Sequence, residues 1–164
     1  MSPSWSPDGK HITWGLAHLN DGRDAGIVLI NLQTKSAKIV NTFQPYWMNI
    51  IQSPYEMHAN TSTFWSPDGK WFASATQEHI SRDVNNWAGP AGLYSVIRVY
   101  DPAGIEVIKI DNSFSLPFWN PDSSSLAFEY NDYEDFPLIE LVEAGTWRIR
   151  VLNLPKNSEI IDWR

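Results

Sequence analysis

The sequence predicts an all-β fold built from three copies of one unit. One turn sequence occurs three times in the 164-residue chain, as Trp5-Ser6-Pro7-Asp8-Gly9, Trp65-Ser66-Pro67-Asp68-Gly69 and Trp119-Asn120-Pro121-Asp122-Ser123. Each copy precedes a short uncharged run, at residues 12–14, 72–75 and 126–128. A second pattern with a period of two then follows each copy, at Ile27 and Leu29, Ile97 and Val99, and Ile149 and Val151. Short uncharged runs and a period of two are typical of β-strands.

The repeated turn has the residue types of a type I β-turn. Ser66 stands first, Pro67 with its fixed φ second and Asp68 third, and Gly69 leaves the turn through a left-handed conformation. Trp65 therefore closes one strand and Phe72 opens the next. In the third copy, an asparagine and a serine replace the first serine and the glycine, which favours a looser hairpin or another turn type.

The residues around each turn predict four short strands per unit. The uncharged residues 71–75 indicate a strand that is buried on both faces. A third strand carries the pattern shared by Ile27, Ile97 and Ile149, and polar turn residues end it. The fourth strands are predicted at residues 37–40, 105–110 and 159–163.

Units of four short strands, roughly 45 to 60 residues long with a signature turn, predict the blades of a β-propeller. We expect one open segment of three blades, at about residues 1–42, 61–111 and 112–164, with a connection at 43–60. Trp5, Trp65 and Trp119 occupy one position of the unit and are expected to be buried between neighbouring sheets. Because three blades leave two sheet faces uncovered, further blades or self-association are expected to close the propeller.

The turn Trp-Ser-Pro-Asp-Gly-Lys followed by an apolar strand resembles the repeat of TolB-like, WD-repeat-like β-propellers. The same repeat is found in the propeller domains of prolyl-oligopeptidase-type peptidases and tricorn-like proteins. This resemblance covers nearly all of the chain and implies a propeller; for a TolB-like protein it also implies a bacterial periplasmic or extracellular location. It does not imply one function, because the repeat serves as a scaffold in many proteins.

Composition excludes several classes of function. The net charge of −7, with only 12 Lys and Arg, argues against a surface for nucleic acid or anionic membranes. Without cysteine there is no disulfide, no cysteine-based zinc site and no thiol nucleophile. The 43% hydrophobic and 13% aromatic content is ample for a folded core.

Two insertions carry the candidate ligand-binding residues. His79, Arg82 and Trp87 lie in the insertion at 77–93 and suggest a rim site for a small or extended ligand, although a solvated loop explains them equally well. The insertion at 131–143 holds Asp132, Glu134 and Asp135, which suit either a hard cation or a solvated run of charge. Connectors between the second and third strands of each blade emerge on one rim, which is therefore the candidate binding face.

The connection at 43–60 is longer than a link between blades requires. It is rich in aromatic residues, which favours a binding segment or a flap that packs Trp47, Ile50 and Ile51 against the propeller. A short helix at 48–52 fits this segment.

No catalytic constellation is visible in the sequence. A Gly-x-Ser-x-Gly segment, a His-Glu-x-x-His motif and a phosphate-binding glycine loop are all absent. Asp8, Asp68 and Asp122 recur because the turn requires them, which marks a structural role. We therefore expect no enzyme activity, metal or cofactor in this chain.

Two hypotheses of function remain. The first is a TolB-like, non-catalytic scaffold that binds a protein, peptide or glycan through its rim loops. The second is the propeller part of a prolyl-oligopeptidase-type serine peptidase whose catalytic domain lies outside these residues.

Overall fold

The computed structural model describes residues 3–19, 24–43, 61–77, 95–113, 116–130 and 138–152. These residues form twelve strands, which are β1 (Ser4–Trp5), β2 (His11–Leu19), β3 (Asp24–Asn31), β4 (Ser36–Phe43), β5 (Thr61–Trp65), β6 (Phe72–Gln77), β7 (Ser95–Tyr100), β8 (Glu106–Ser113), β9 (Phe118–Trp119), β10 (Ser125–Tyr130), β11 (Leu138–Glu143) and β12 (Ile149–Leu152). Within these ranges no helix has the length and apolar character needed to cross a membrane.

The strands form three four-stranded antiparallel blades, so the prediction of an all-β partial propeller is confirmed. Blade 1 has the order β1-β2-β3-β4, blade 2 the order β5-β6-β7-β8 and blade 3 the order β9-β10-β11-β12. A single pair, Ser113 with Tyr130, also joins β8 to β10 and makes blades 2 and 3 one hydrogen-bonded sheet.

Blade 2 is covered on both faces, as the uncharged run after its turn predicts. Every described side chain of β6 is buried. Phe72 points toward blade 1 and joins a cluster with Ile27, whereas Ala73 points the other way and joins a cluster with Phe128. We call the face that carries Phe72 the leading face and the face that carries Ala73 the trailing face, and use the same terms for equivalent positions in the other blades.

All three turns have the same geometry. The Ser6 Oγ, Ser66 Oγ and Asn120 Oδ1 atoms accept hydrogen bonds from the backbone N–H groups five residues later, at 2.9, 3.1 and 2.9 Å. The fourth residues have φ values of 69°, 72° and 64° at Gly9, Gly69 and Ser123. The prediction that the third turn is looser or of another type is therefore wrong, because the asparagine side chain replaces the serine hydroxyl and Ser123 adopts the left-handed conformation.

The three repeated tryptophans differ in burial. Trp65 is only 9% exposed, Trp119 is partly buried, and Trp5 is 58% exposed. The prediction that all three are buried is wrong for Trp5. Trp65 and Trp119 each contact the preceding blade. Among the described residues, none forms a blade in front of Trp5.

The third strand of blade 3 was predicted at the wrong place. Residues 138–143, which the sequence analysis assigned to an insertion, form β11 and pair with β10 along its whole length. Ile149 and Val151 lie in β12, which pairs with the far side of β11 and is the fourth strand. The strand predicted at 159–163 and the helix predicted at 48–52 lie outside the described residues.

Candidate functional site

Three strand pairs end at one rim of the propeller. These ends are the pairs Leu19 with Asp24, Gln77 with Ser95, and Tyr130 with Leu138. The repeated turns lie at the other rim, where the Asp68 N–H of blade 2 donates to Ser123 Oγ of blade 3 at 2.9 Å. The turns and the longer connectors therefore occupy opposite rims, as an antiparallel blade requires.

Ser113 brings the bases of two connectors together. It pairs with Ser95, which follows the connector at 78–94, and with Tyr130, which precedes the connector at 131–137. Because neighbouring strands lie about 4.8 Å apart, the backbones of Ser95 and Tyr130 are roughly 10 Å apart. Segments that belong to different blades thus start from neighbouring points on one rim.

The predicted ligand-binding residues lie in these connectors, outside the described residues. His79, Arg82 and Trp87 belong to the connector at 78–94, and Asp132, Glu134 and Asp135 to the connector at 131–137. Trp47, Ile50 and Ile51 of the long connection also lie outside the description. The structure thus fixes where the two candidate segments are anchored, and their grouping into one site remains a prediction.

A buried arginine below the first connector was missed by the sequence analysis. Arg98, on the leading face of β7, is 7% exposed, and its Nε lies 3.2 Å from Glu106 Oε2. Its Nη1 donates to Thr76 Oγ1 at 3.4 Å, one residue before the end of β6. A charged group removed from water needs such partners, and Glu106 and Thr76 supply them to Arg98. The only signal in the sequence is one arginine within an otherwise apolar strand.

Ser74 lies opposite Arg98 and makes the interface between blades 1 and 2 unusually polar. It occupies the position that holds Trp14 in blade 1 and Phe128 in blade 3, and it is fully buried. Its hydroxyl has no hydrogen-bond partner among the described residues, and neither has Asn41 Nδ2 of β4. Blade 2 thus carries a small polar side chain where blade 3 carries a buried aromatic ring.

The described carboxylates of the turns are engaged in structural hydrogen bonds. The Ser6 hydroxyl and the Lys10 backbone N–H hold the pKa of Asp8 at about 2. The Ser124 hydroxyl and backbone N–H likewise lower the pKa of Asp122. Partial burial opposes ionisation of Asp68, but hydrogen bonds from Lys70 and Ser66 still lower its pKa. These contacts engage all three carboxylates within their own turns, and the purely structural role expected from their recurrence remains a prediction.

The described ranges offer no group of three His, Asp or Glu side chains able to share a metal ion. Glu140, in the strand that follows the acidic connector, has its pKa raised by burial.

No protein-family model matches this chain. No curated protein matches it either.

Solved structures resemble the chain in fold. TolB from Acinetobacter baumannii matches with a TM-score of 0.53 and 18% identity, over 94% of this chain and 32% of TolB. The β-propeller domain of the trilobed protease from Pyrococcus furiosus matches with a TM-score of 0.61 and 19% identity, over 92% of this chain and 42% of that one. The acylaminoacyl peptidase of Pyrococcus horikoshii matches with a TM-score of 0.58 and 18% identity, over 92% of this chain and 24% of the peptidase. The chain therefore has the fold of part of a propeller and spans less than half the length of each of these three structures.

Proposed function

We propose that this chain is a non-catalytic β-propeller scaffold that binds a protein, peptide or glycan at the rim formed by its longer connectors. The observation that carries this proposal is the double pairing of Ser113 with Ser95 and Tyr130. It anchors two polar segments from different blades at neighbouring points on a rigid sheet. Loops that a rigid scaffold presents side by side are common binding surfaces.

The two segments differ in chemistry. The connector at 78–94 offers the flat ring of Trp87 and the cationic side chain of Arg82, whereas the connector at 131–137 offers the carboxylates of Asp132 and Asp135. An indole ring stacks on a sugar or on an apolar side chain, and a guanidinium pairs with a carboxylate. A ligand that carries both charges and an apolar surface, such as a peptide segment, suits this combination best.

The base of the site is well packed. The described side chains of β6 and β7 are buried, and Arg98 of β7, which is paired with Glu106, also donates to Thr76 near the end of β6, where the first connector starts. Substitutions in the connectors themselves are therefore expected to change binding without unfolding the blades.

Arrays of peptides and glycans, probed with the purified chain, would identify a ligand. The variants Trp87→Ala and Asp132→Asn should then each weaken its binding by about tenfold or more in calorimetry, as truncation of an interface anchor does. Lys70→Ala, on the exposed turn of the opposite rim, is the matched control and should bind like the parent chain. The proposal would be contradicted if neither rim variant weakened binding. It would also be contradicted if the arrays gave no signal above background.

A second candidate function is the propeller portion of a serine peptidase. The resemblance in fold to the propeller domain of a protease and to an acylaminoacyl peptidase favours it. The gene sequence beyond the codon for Arg164 separates the two candidates. A Gly-x-Ser-x-Gly segment followed by Asp and His would support the peptidase, and further Ser-Pro-Asp-Gly repeats that end at a stop codon would support the scaffold.

Under either candidate we expect the purified chain to hydrolyse no peptide substrate. Turnover that is abolished by a substitution within residues 1–164 would reveal a catalytic site in this chain.

A further inference from the structure

The trailing face of blade 3 is apolar and buried, although blade 2 packs on the other side of this sheet. Ala127, Leu141 and Ile139 share the trailing face and are 1%, 4% and 6% exposed. Leu126 and Phe128 point the opposite way and pack against blade 2. Side chains in the middle of a sheet become this dry only beneath a covering layer, which the described ranges do not supply on the trailing side.

In the other two blades, the innermost strand of the next blade helps to cover the trailing face. Thr13, on the trailing face of blade 1, contacts Thr63 and Trp65 of β5. On blade 2, Trp119 of β9 donates its indole N–H to the Phe64 carbonyl at 3.1 Å. Both covering strands end at the tryptophan of the repeated turn. The cover of blade 3 is therefore expected from a strand that ends in a tryptophan.

Spacing along the chain singles out residues 160–163, which read Ile-Ile-Asp-Trp. Strand β12 corresponds to β8, because Leu152 of β12 and Ile110 of β8 pair with equivalent positions of the strand before them. Trp119 stands nine residues after Ile110, and Trp163 stands eleven residues after Leu152. Since β12 is already the outermost strand of blade 3, residues 160–163 correspond in order and in spacing to the innermost strand that follows a completed blade.

We propose that residues 160–163 cover the trailing face of blade 3, as β5 covers blade 1 and β9 covers blade 2. Trp163 lies over Ala127, and its indole N–H donates to the carbonyl of Phe118, which corresponds to the acceptor carbonyl in blade 2. Burial of the indole ring against an apolar face stabilises this contact. The same contact closes the face to other partners, and it does not depend on ligand binding at the connector rim.

Thiol accessibility tests the proposal, because the chain contains no cysteine of its own. The single thiol of Ala127→Cys should react slowly with a chromogenic disulfide reagent, and addition of Trp163→Ala should raise its rate by about tenfold or more. Ala73→Cys is the matched control, because Ala73 is 0% exposed and is covered by the described strands of blade 3. Trp163→Ala should leave its rate unchanged. No rise at Ala127→Cys, or an equal rise at both positions, would overturn the proposal.

A cross-link tests the same contact without removing the tryptophan. The hydroxyls of Thr13 and Thr63 are 2.8 Å apart, and the equivalent positions on blade 3 and in the covering segment are Ala127 and Ile161. Ala127→Cys with Ile161→Cys should therefore form an intramolecular disulfide with oxidised glutathione, detected by mass spectrometry of the folded chain. Asp162→Cys in place of Ile161→Cys is the control and should cross-link far more slowly, because neighbouring residues of a strand point to opposite faces. Equal cross-linking of the two pairs, or none in either, would overturn the proposal.

Discussion

Trp65 of blade 2 donates its indole N–H to Thr13 Oγ1 of blade 1 at 3.2 Å, inside the interface between the two blades. The Thr13 hydroxyl in turn donates to Thr63 Oγ1 at 2.8 Å. The Trp65 ring also stacks on His11 and packs against Phe72, with centroid distances of 5.8 and 5.0 Å. One side chain therefore combines apolar contact and a buried hydrogen bond at the centre of the interface.

The first prediction compares this tryptophan with its equivalent in blade 1. Trp65→Ala should lower the free energy of unfolding by about 3–5 kcal/mol, because it removes a large buried side chain and leaves the Thr13 hydroxyl without this donor. Trp5→Ala, at an exposed position of the same repeat, should cost less than about 1 kcal/mol. Urea denaturation measures both. Equal losses for the two variants would show that exposure does not separate their roles.

The second prediction concerns Ser123, which has a φ of 64° and accepts a hydrogen bond from the Asp68 N–H of the neighbouring blade at 2.9 Å. Ser123→Ala keeps the left-handed conformation and removes the acceptor, so it should lower the free energy of unfolding by about 1–3 kcal/mol. Ser123→Gly also removes the acceptor but relieves the left-handed conformation, which recovers about 1 kcal/mol.

In thermal and urea unfolding, the Ser123→Gly variant should therefore be more stable than the Ser123→Ala variant. The opposite ranking would mean that the backbone conformation at this position is not strained. Parent-like stability for Ser123→Ala would mean that the bond between the two turns contributes nothing.

The third prediction concerns Gly104, in the turn between β7 and β8, which has a φ of 73°. A Cβ atom there would overlap Val40 Cγ1 of blade 1 and lie 2.7 Å from Lys38 Cε. Gly104→Ala should therefore destabilise the chain by about 2–4 kcal/mol, through backbone strain together with overpacking between blades.

A double variant separates the two causes at Gly104. Val40→Ala removes the overlapping methyl group, so the loss caused by Gly104→Ala should be smaller in the Val40→Ala background than in the parent chain. Additive losses, measured as a double-mutant cycle by urea denaturation, would show that Val40 does not restrict this turn.

The fourth prediction is a loss of stability in acid. Asp8 has a pKa of about 2 in the folded chain against an ordinary value of 3.8. A carboxyl group whose folded pKa is depressed stabilises the fold above its unfolded pKa and loses this contribution as the pH falls through the folded pKa. The free energy of unfolding should therefore fall between about pH 4 and pH 2. Asp8→Asn should show a shallower fall in urea denaturation over this range, and an unchanged slope would contradict the role assigned to the carboxylate.

The repeated turn is local, and the sequence alone was enough to predict it. The turn requires particular residue types at four consecutive positions, which are filled by Ser66, Pro67, Asp68 and Gly69. The hairpin and the uncharged strand after it therefore follow from neighbouring residues in the chain. The same local information was too weak for the third copy. There Asn120 and Ser123 build the same turn from other side chains. The Asn120 side-chain amide oxygen takes the place of the serine hydroxyl as acceptor, which only the hydrogen bonds of the structure reveal.

The candidate site itself remains a prediction, and only the anchoring of its connectors can be compared with the structure. That the connectors share one rim follows from the antiparallel order of strands within each blade. The proximity of two of these connectors does not follow from the strand order, because it depends on the pairing of Ser113 in blade 2 with Tyr130 in blade 3. The buried ion pair of Arg98 with Glu106 was missed for the same reason: nothing in the sequence near Arg98 shows that blade 1 covers it.

By itself the sequence determined the repeat, the turns and the all-β class, since these depend on residues close together in the chain. Only the tertiary structure decided which copy of a repeated residue is buried. Trp5 and Trp65 stand in nearly identical local sequences, yet one is exposed and the other is the centre of an interface. The burial of a side chain depends on what stands opposite it, and in a stacked sheet that neighbour lies some fifty residues away, as Thr13 does from Trp65.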